Sequence, residues 1–548
     1  MPPCIRLLCS VSLALALVAC GGGGGAASAG SDGNPGTGSS GSGPTVHGTD
    51  VLTYHNDAMR TGQDLTESVL TPQNVNASSF GKLRSLPADG LVDAAPLVVS
   101  GISLAGAVRN VVYVASEHDS VYAYDADSGA LLLQVSLLGG GERSSDQRGC
   151  SQVSPEIGIT ATPVIDRAAG PNGTLFVVAM SRDANGNFYQ RLHALDLLTL
   201  ADRLPAVTIQ ASAPGNGPDS AAGVLQFDPK QYKERAALLL LGGRIYLAFA
   251  SHCDIQPYNG WIMAYDESTL AQTAVLQLTP NGSEGAIWDT GGLAADAAGN
   301  LYATVANGTF DTTLDAQGRP GAQDYGNAAL RISTVGSTLS ISDYFTPSNT
   351  ASESANDVDL GSGSVVLLMD QTDSAGTMHH LMTVGGKDEN LYVLDRDNLG
   401  HFSAAGNAVY QQIALGSSLF SAPVYFNGSV YVGDAGGTLK AFSFTNAKLS
   451  ATPSSQSSTT FAYPGTSPAI SAQGSSNAIL WAVESATGTA AVLHAYDPAD
   501  LGQEFYNSTQ AGGGRDSFGN GNKFITPVIA NGKVFIGTPS GVAVFGLL

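Results

Sequence analysis

The chain has 548 residues, 67 of them Gly, only 13% charged, with 46 acidic against 24 basic side chains and a formal charge of −22. That balance argues against nucleic acid and against direct docking on anionic lipid headgroups, and leaves cationic partners and Ca²⁺ open. No long helical period runs through the chain, so one large all-β unit is expected rather than several domains.

At the N-terminus, Arg6 precedes an apolar stretch from Leu7 to Val18 that ends in Leu17-Val18-Ala19-Cys20. This resembles a bacterial lipobox, with Leu three places before the Cys and a small residue just before it. The resemblance implies a signal peptide over 1–19, cleaved before Cys20, with Cys20 then lipidated. Several acyl chains on one Cys anchor far more firmly than a single reversible chain. An ordinary secretory signal or a short membrane anchor is the alternative, although the apolar run is short for a span. Residues 20–50 follow as a tether, dominated by Gly, Ser, Ala and Thr, which cannot form a core. Gly21, not an acidic residue, follows the Cys, which resembles the pattern of outer-membrane delivery. The expected location is therefore the bacterial cell envelope, on the periplasmic or secreted side, with the membrane reached through the lipid.

From residue 51 to 548 one pattern recurs every fifty to seventy residues: a Pro-led apolar run, a turn, a Tyr-centred strand, and a strand ending near Asp. The first copy reads Ala95-Pro96-Leu97-Val98-Val99, then Val111-Val112-Tyr113-Val114-Ala115, then Val121-Tyr122-Ala123-Tyr124-Asp125. Later copies centre on Thr162-Pro163, Arg244-Ile245-Tyr246-Leu247, a weaker Leu301-Tyr302-Ala303, Leu391-Tyr392-Val393-Leu394-Asp395, Ala422-Pro423 and Ser467-Pro468. Units of this size cannot bury both their faces alone, which predicts radial packing as a single β-propeller of four-stranded blades. About eight blades are expected, with seven the alternative because the fourth copy is weak. The last copy, from Ile525, has three strands only. Phe80 to Leu86 alternates like a strand, and pairing it there would close the ring and remove an edge. Asn427-Gly428 and Asn531-Gly532 are expected to be two-residue hairpin turns.

If Cys4 and Cys9 leave with the signal and Cys20 carries lipid, Cys150 and Cys253 remain. In an oxidising compartment a disulfide between loops of the second and third blades is expected, two separate thiols being the alternative. His252 beside Cys253 has no second Cys or His at metal-ligand spacing.

The repeat, together with Thr53-Tyr54-His55-Asn56-Asp57-Ala58-Met59-Arg60-Thr61-Gly62, is similar to the PQQ-like (quinoprotein-like) propellers and their opening segment. The resemblance covers roughly 51–548 and implies the fold directly. Departures bear on activity. The inter-blade motif Ala-x-Asp-x-x-x-Gly-x-x-x-Trp is matched at Ala123, Asp125 and Gly129, but Leu133 stands in place of Trp, and Leu200 and Leu270 replace the Gly in the next two copies. There is no adjacent Cys pair and no Cys-x-x-Cys-His haem site. PQQ is a multiply anionic ring that needs cationic donors, a flat clamp and usually Ca²⁺ on oxygen ligands. By resemblance Trp288 could be the clamp, Lys387 or Arg331 the donors, and Glu156, Asn307 and Asp311 the oxygen ligands.

Polar residues beside strand starts make Glu156, His252, Asp254, Trp288, Asp311 and Asp359 candidates to converge on a central channel. Glu156 and His252 are the candidate catalytic groups; Trp288, Asp311, Asp359 and Lys387 are the candidate ligand-binding ones. Each has a plainer reading: a turn for Asp357-x-Asp359-Leu360-Gly361, inter-blade packing for Trp261, a loop hydrogen bond for His252. No Gly-x-Ser-x-Gly, His-Glu-x-x-His or phosphate loop is present. Two functions are therefore expected in competition. The first is an envelope-tethered binding or scaffold module for a protein, polysaccharide or small ligand. The second is a PQQ- and Ca²⁺-dependent dehydrogenase of alcohols or sugars.

Overall fold

The computed structural model describes residues 48–548; the signal segment, the Cys20 lipidation site and most of the tether lie outside the described residues. Eight four-stranded antiparallel blades follow one another over 97–136, 164–208, 239–277, 294–345, 366–414, 424–460, 469–507 and 528–547. The fourth, weak in sequence, is a full blade of four strands, which decides for eight over seven. Its signal is diluted by the insertion between Leu301–Thr304 and Ala329–Ser333. The last blade borrows its outermost strand, Phe80–Pro87, in register from Phe80 opposite Leu547 to Pro87 opposite Gly541. Phe80 is fully buried, its ring 5.4 Å from Trp481 and 5.0 Å from Tyr506 of the seventh blade, so closure also locks two blades together.

Each blade is covered on both faces by its neighbours, so its middle strands read as near-continuous apolar runs. Ser120–Asp125 is buried at every position, whereas the outer strand Leu131–Ser136 is largely solvent-facing. Eight principal apolar clusters lie among the described residues, one at each blade interface. Trp261 fills the wedge between the second and third blades, edge-on to Phe227 and Tyr232. The recurrent Asp caps the turn after the third strand: Asp125 accepts from the backbone N–H of Asp127 and Ser128, and Asp266 does the same for Ser268 and Thr269. Where Gly129 takes φ 78°, Leu200 and Leu270 hold φ 54° and 57°, and both side chains are buried. Apolar burial thus offsets the left-handed backbone at these two positions. Asn427-Gly428 and Asn531-Gly532 are hairpin turns with positive φ at both residues.

The axis is occupied by residues 49–64. Val51 exchanges two backbone hydrogen bonds with Val98 of blade 1, and Leu52 O accepts from Ile165 of blade 2. Ala58, Met59, Thr61 and Gly62 carbonyls accept from Ala295, Leu367, Tyr425 and Ile470 of blades 4 to 7, and Thr49 pairs with the Asn531 side chain of blade 8. Only a central segment can reach innermost strands all round the ring. Arg60, fully buried, is its pin. Nε donates to Leu293 O (3.0 Å), Nη1 to Thr53 Oγ1 (2.8 Å) and Tyr54 O (3.0 Å), and Nη2 to Leu238 O of blade 3 (3.2 Å). Burial lowers its pKa only to about 10, so it stays charged. Burial pulls His55 down to about 3, so its neutral ring stacks on Tyr54 at 4.3 Å. Gly62, at φ 73°, passes where a Cβ would lie 2.6 Å from the Val424 side chain.

Two stability predictions follow from this hub. Arg60→Leu orphans three buried carbonyls, and should lower the unfolding free energy by about 3–5 kcal/mol in urea titration; a loss below about 1 kcal/mol would show that the pin is dispensable. Asp289, buried beside the hub, has its carboxyl pushed up to about 6 by burial. The folded state therefore keeps a proton that the unfolded chain releases, and stability from this group falls as pH rises from about 4 through about 6. Asp289→Asn should gain about 2–3 kcal/mol on the native protein between those limits; parallel pH profiles would contradict it.

Candidate functional site

The segments that precede the innermost strands meet above the hub and wall a chamber on the propeller axis. Tyr54 of the hub lines it, as do Asp93, Thr162, Arg235 and Thr290 of blades 1 to 4. Asp359, Phe420 and Tyr463 of blades 5 to 7 line its smaller lobe, and Phe524 of blade 8 lines both lobes. The larger lobe measures about 420 Å³ and the smaller about 100 Å³; they share Gln152, Arg235 and Phe524. Sites for small molecules span roughly 300–1,000 Å³.

The chamber is cationic in a strongly acidic chain. Arg235 is 8% exposed, its guanidinium lies 4.1 Å above the Phe524 ring centroid, and no hydrogen-bond or ion-pair partner engages it among the described residues. Lys233, 1% exposed, donates only to Gln152 Oε1 (3.1 Å) and lies 5.6 Å from the Trp288 ring centroid; burial pulls its ammonium down to about 7. Lys523 lines the larger lobe, and burial lowers its pKa too. Aromatic faces step round the rim, with Phe420 to Tyr463 at 5.0 Å and Tyr463 to Phe524 at 6.0 Å.

Of the residues expected at the channel, Trp288, Asn307, Asp359, Lys387 and Asp254 line the smaller lobe. Lys387 is not a free donor: its ammonium contacts Asp357 and Asp359, both at 2.7 Å. Burial would lower its pKa, but those carboxylates outweigh it and raise it. Glu156 and His252 are not among the lining residues. Glu156 bonds the His118 ring at 2.8 Å, and His252 Nε2 bonds Gln147 O at 2.9 Å with its pKa lowered by burial. Asp311 accepts from the N–H of Thr313 and Ala322 in the blade 4 insertion, and Arg331 donates to Arg396 O on the blade's outer side. Of the oxygen donors Glu156, Asn307 and Asp311, only Asn307 lines the chamber. Among the described residues, no group of three His, Cys, Asp or Glu side chains is placed to hold a metal ion. Cys150 and Cys253 form the expected disulfide across 103 residues, pinning the loop that supplies Gln152 and Pro155 to the wall.

Sequence reasoning missed Arg235, Lys233, Lys523, Phe524, Asp93 and Glu117. One signal was available: Lys233-Glu234-Arg235 puts three successive charges just before an innermost strand, in a chain with few charges, and all three are buried.

No family model and no curated sequence matches the chain. Solved structures do. A quinohemoprotein alcohol dehydrogenase from Comamonas testosteroni is 14% identical over 91% of this chain and 80% of its own, with a TM-score of 0.60. The quinohemoprotein alcohol dehydrogenase ADHIIG from Pseudomonas putida HK5 is 13% identical over the same shares, with a TM-score of 0.57. A europium-containing methanol dehydrogenase is 13% identical over 91% of this chain and 98% of its own, with a TM-score of 0.57. The fold of this chain is thus the eight-bladed propeller of the quinoprotein dehydrogenases.

Proposed function

We propose that this propeller binds a planar, multiply anionic small molecule in its axial chamber, with PQQ the leading ligand, and that it works as a binding module tethered to the bacterial envelope through lipid on Cys20. The observation that carries the reading is Arg235. An isolated buried cation is costly unless paired, and this one faces a cavity with an aromatic ring beneath it. A planar carboxylate would supply both a bidentate partner for the guanidinium and a face for the ring. Lys523 adds a further donor on the same wall, and the rim aromatics exclude water from a bound ring.

The anionic, planar part of PQQ fits this lining. Ca²⁺ held jointly by Glu156, Asn307 and Asp311 does not, because those groups are engaged apart. When bound, a quinone supplies two-electron redox chemistry; the chain's own residues bind it, orient it through Arg235 and shield it. Oxidation of an alcohol or sugar is the second reading, favoured by a carboxyl pair in the chamber wall beside the cations. An envelope protein or polysaccharide as partner would use the outer faces, which the chamber does not bear on.

Titration of the purified protein with PQQ, followed by absorbance and calorimetry, should give one site per chain, and Arg235→Leu should weaken it at least tenfold. No binding, or equal affinity of the variant, would contradict the reading. In detergent phase partition the native protein should enter the detergent phase and Cys20→Ser the aqueous phase; an aqueous native protein would sink the tether.

A further inference from the structure

Asp93 and Glu117 form a second feature of the chamber wall. Glu117 N donates to Leu91 O at 2.9 Å, so the segments carrying the two acids run side by side. Asp93 lines the larger lobe, and its Oδ1 accepts from Asn522 Nδ2 at 2.6 Å. Behind it, Glu117 is fully buried; its Oε2 accepts from Gly158 N (2.7 Å) and Thr160 Oγ1 (3.1 Å). Its Oε1 meets no donor among the described residues and faces the Asp93 carboxyl. Gly158 is packed too tightly to give way, since a Cβ there would lie 2.4 Å from Glu117 O. Ionised carboxylates only accept, so two facing each other in a buried wall repel unless one carries a proton.

We propose that Asp93 and Glu117 hold one proton between them at neutral pH and that the pair is the proton donor and acceptor of the chamber. The inference rests on the chamber being a ligand site. In the donating step the O–H bond on the pair breaks, an O–H bond forms on a ligand oxygen, and no electrons move between molecules. The pair is left doubly ionised, and the cations around it compensate. Lys233 and Arg235 face it from the segment before blade 3, and Lys523 from the segment before blade 8. On the pair's own loop, His118 is engaged by Glu156, and Asp119 accepts from Met180 N; Asp289 completes the nearby acids. Burial and the Asp93 contact both hold the Glu117 carboxyl well above the usual carboxylate range, which agrees with a retained proton.

Infrared difference spectroscopy of the ligand-free protein reads the pair directly. At neutral pH a protonated-carboxyl stretch should be present that both Asp93→Asn and Glu117→Gln remove, over the background of other buried acids such as Glu234. Its persistence in both variants would overturn the pair. Calorimetry of native protein with trimesate, a planar tricarboxylate without redox chemistry, in buffers of unequal ionisation enthalpy should show about one proton exchanged per ligand bound. Binding with no proton exchanged would overturn the donor role, and this arm needs no variant. Arg235→Leu should lose trimesate and keep the infrared band. If neither trimesate nor PQQ binds while the band is present, the ligand reading and the donor role fall together but the shared proton stands. Loss of the band on adding Ca²⁺ would make the two acids a metal site and overturn the proposal.

Discussion

The structure turns on the closure of its own axis. Eight wedge-shaped blades present the free edges of eight innermost strands to one another across a gap too wide to bridge directly, and unpaired buried backbone groups are expensive. Residues 49–64 fill that gap, giving hydrogen bonds to strands all round the ring, with the Arg60 guanidinium as the one group able to serve several carbonyls at once. The C-terminal blade depends on the same N-terminal region through Phe80–Pro87. Fold closure is therefore non-local, joining residues more than 450 positions apart.

Placing the hub in this way also makes the site. The plug seals the axis beneath Tyr54, and the loops before the innermost strands then enclose a dead-ended chamber rather than an open channel. Cations collect there in a chain that carries −22 overall, so the acidic exterior and the cationic interior are opposite in sign. Such an arrangement disfavours non-specific anion binding on the surface and leaves a local exception at the axis, where a low-dielectric wall strengthens each contact. The adjoining carboxyls, Asp93 and Glu117, temper that positive charge without neutralising Arg235.

Most of the fold was legible because it is written in periodic features. Strand alternation, Pro-led starts, Asn-Gly turns and a three-stranded last copy all report local backbone demands, and even the donor strand at Phe80 showed its alternation. The Cys150–Cys253 link was legible by elimination. The chamber was much less so. Trp288, Asp359 and Lys387 sit at predictable loop positions and do line it, yet Lys387 is already paired with two Asp side chains, a fact of three dimensions. Glu156 and His252 looked functional because they stand among apolar neighbours, but that setting also describes a loop tie. Arg235 and Glu117 owe their character to burial contributed by distant blades, and no local pattern encodes burial of that kind.

The central claim, that an unpaired buried guanidinium makes the axis an anion site, is tested most directly by crystals of the protein soaked in iodide. The account predicts an anomalous peak within hydrogen-bonding reach of Arg235, above Phe524, that disappears in Arg235→Leu. Iodide found only on the outer surface, with the chamber clear of anomalous density, would contradict it.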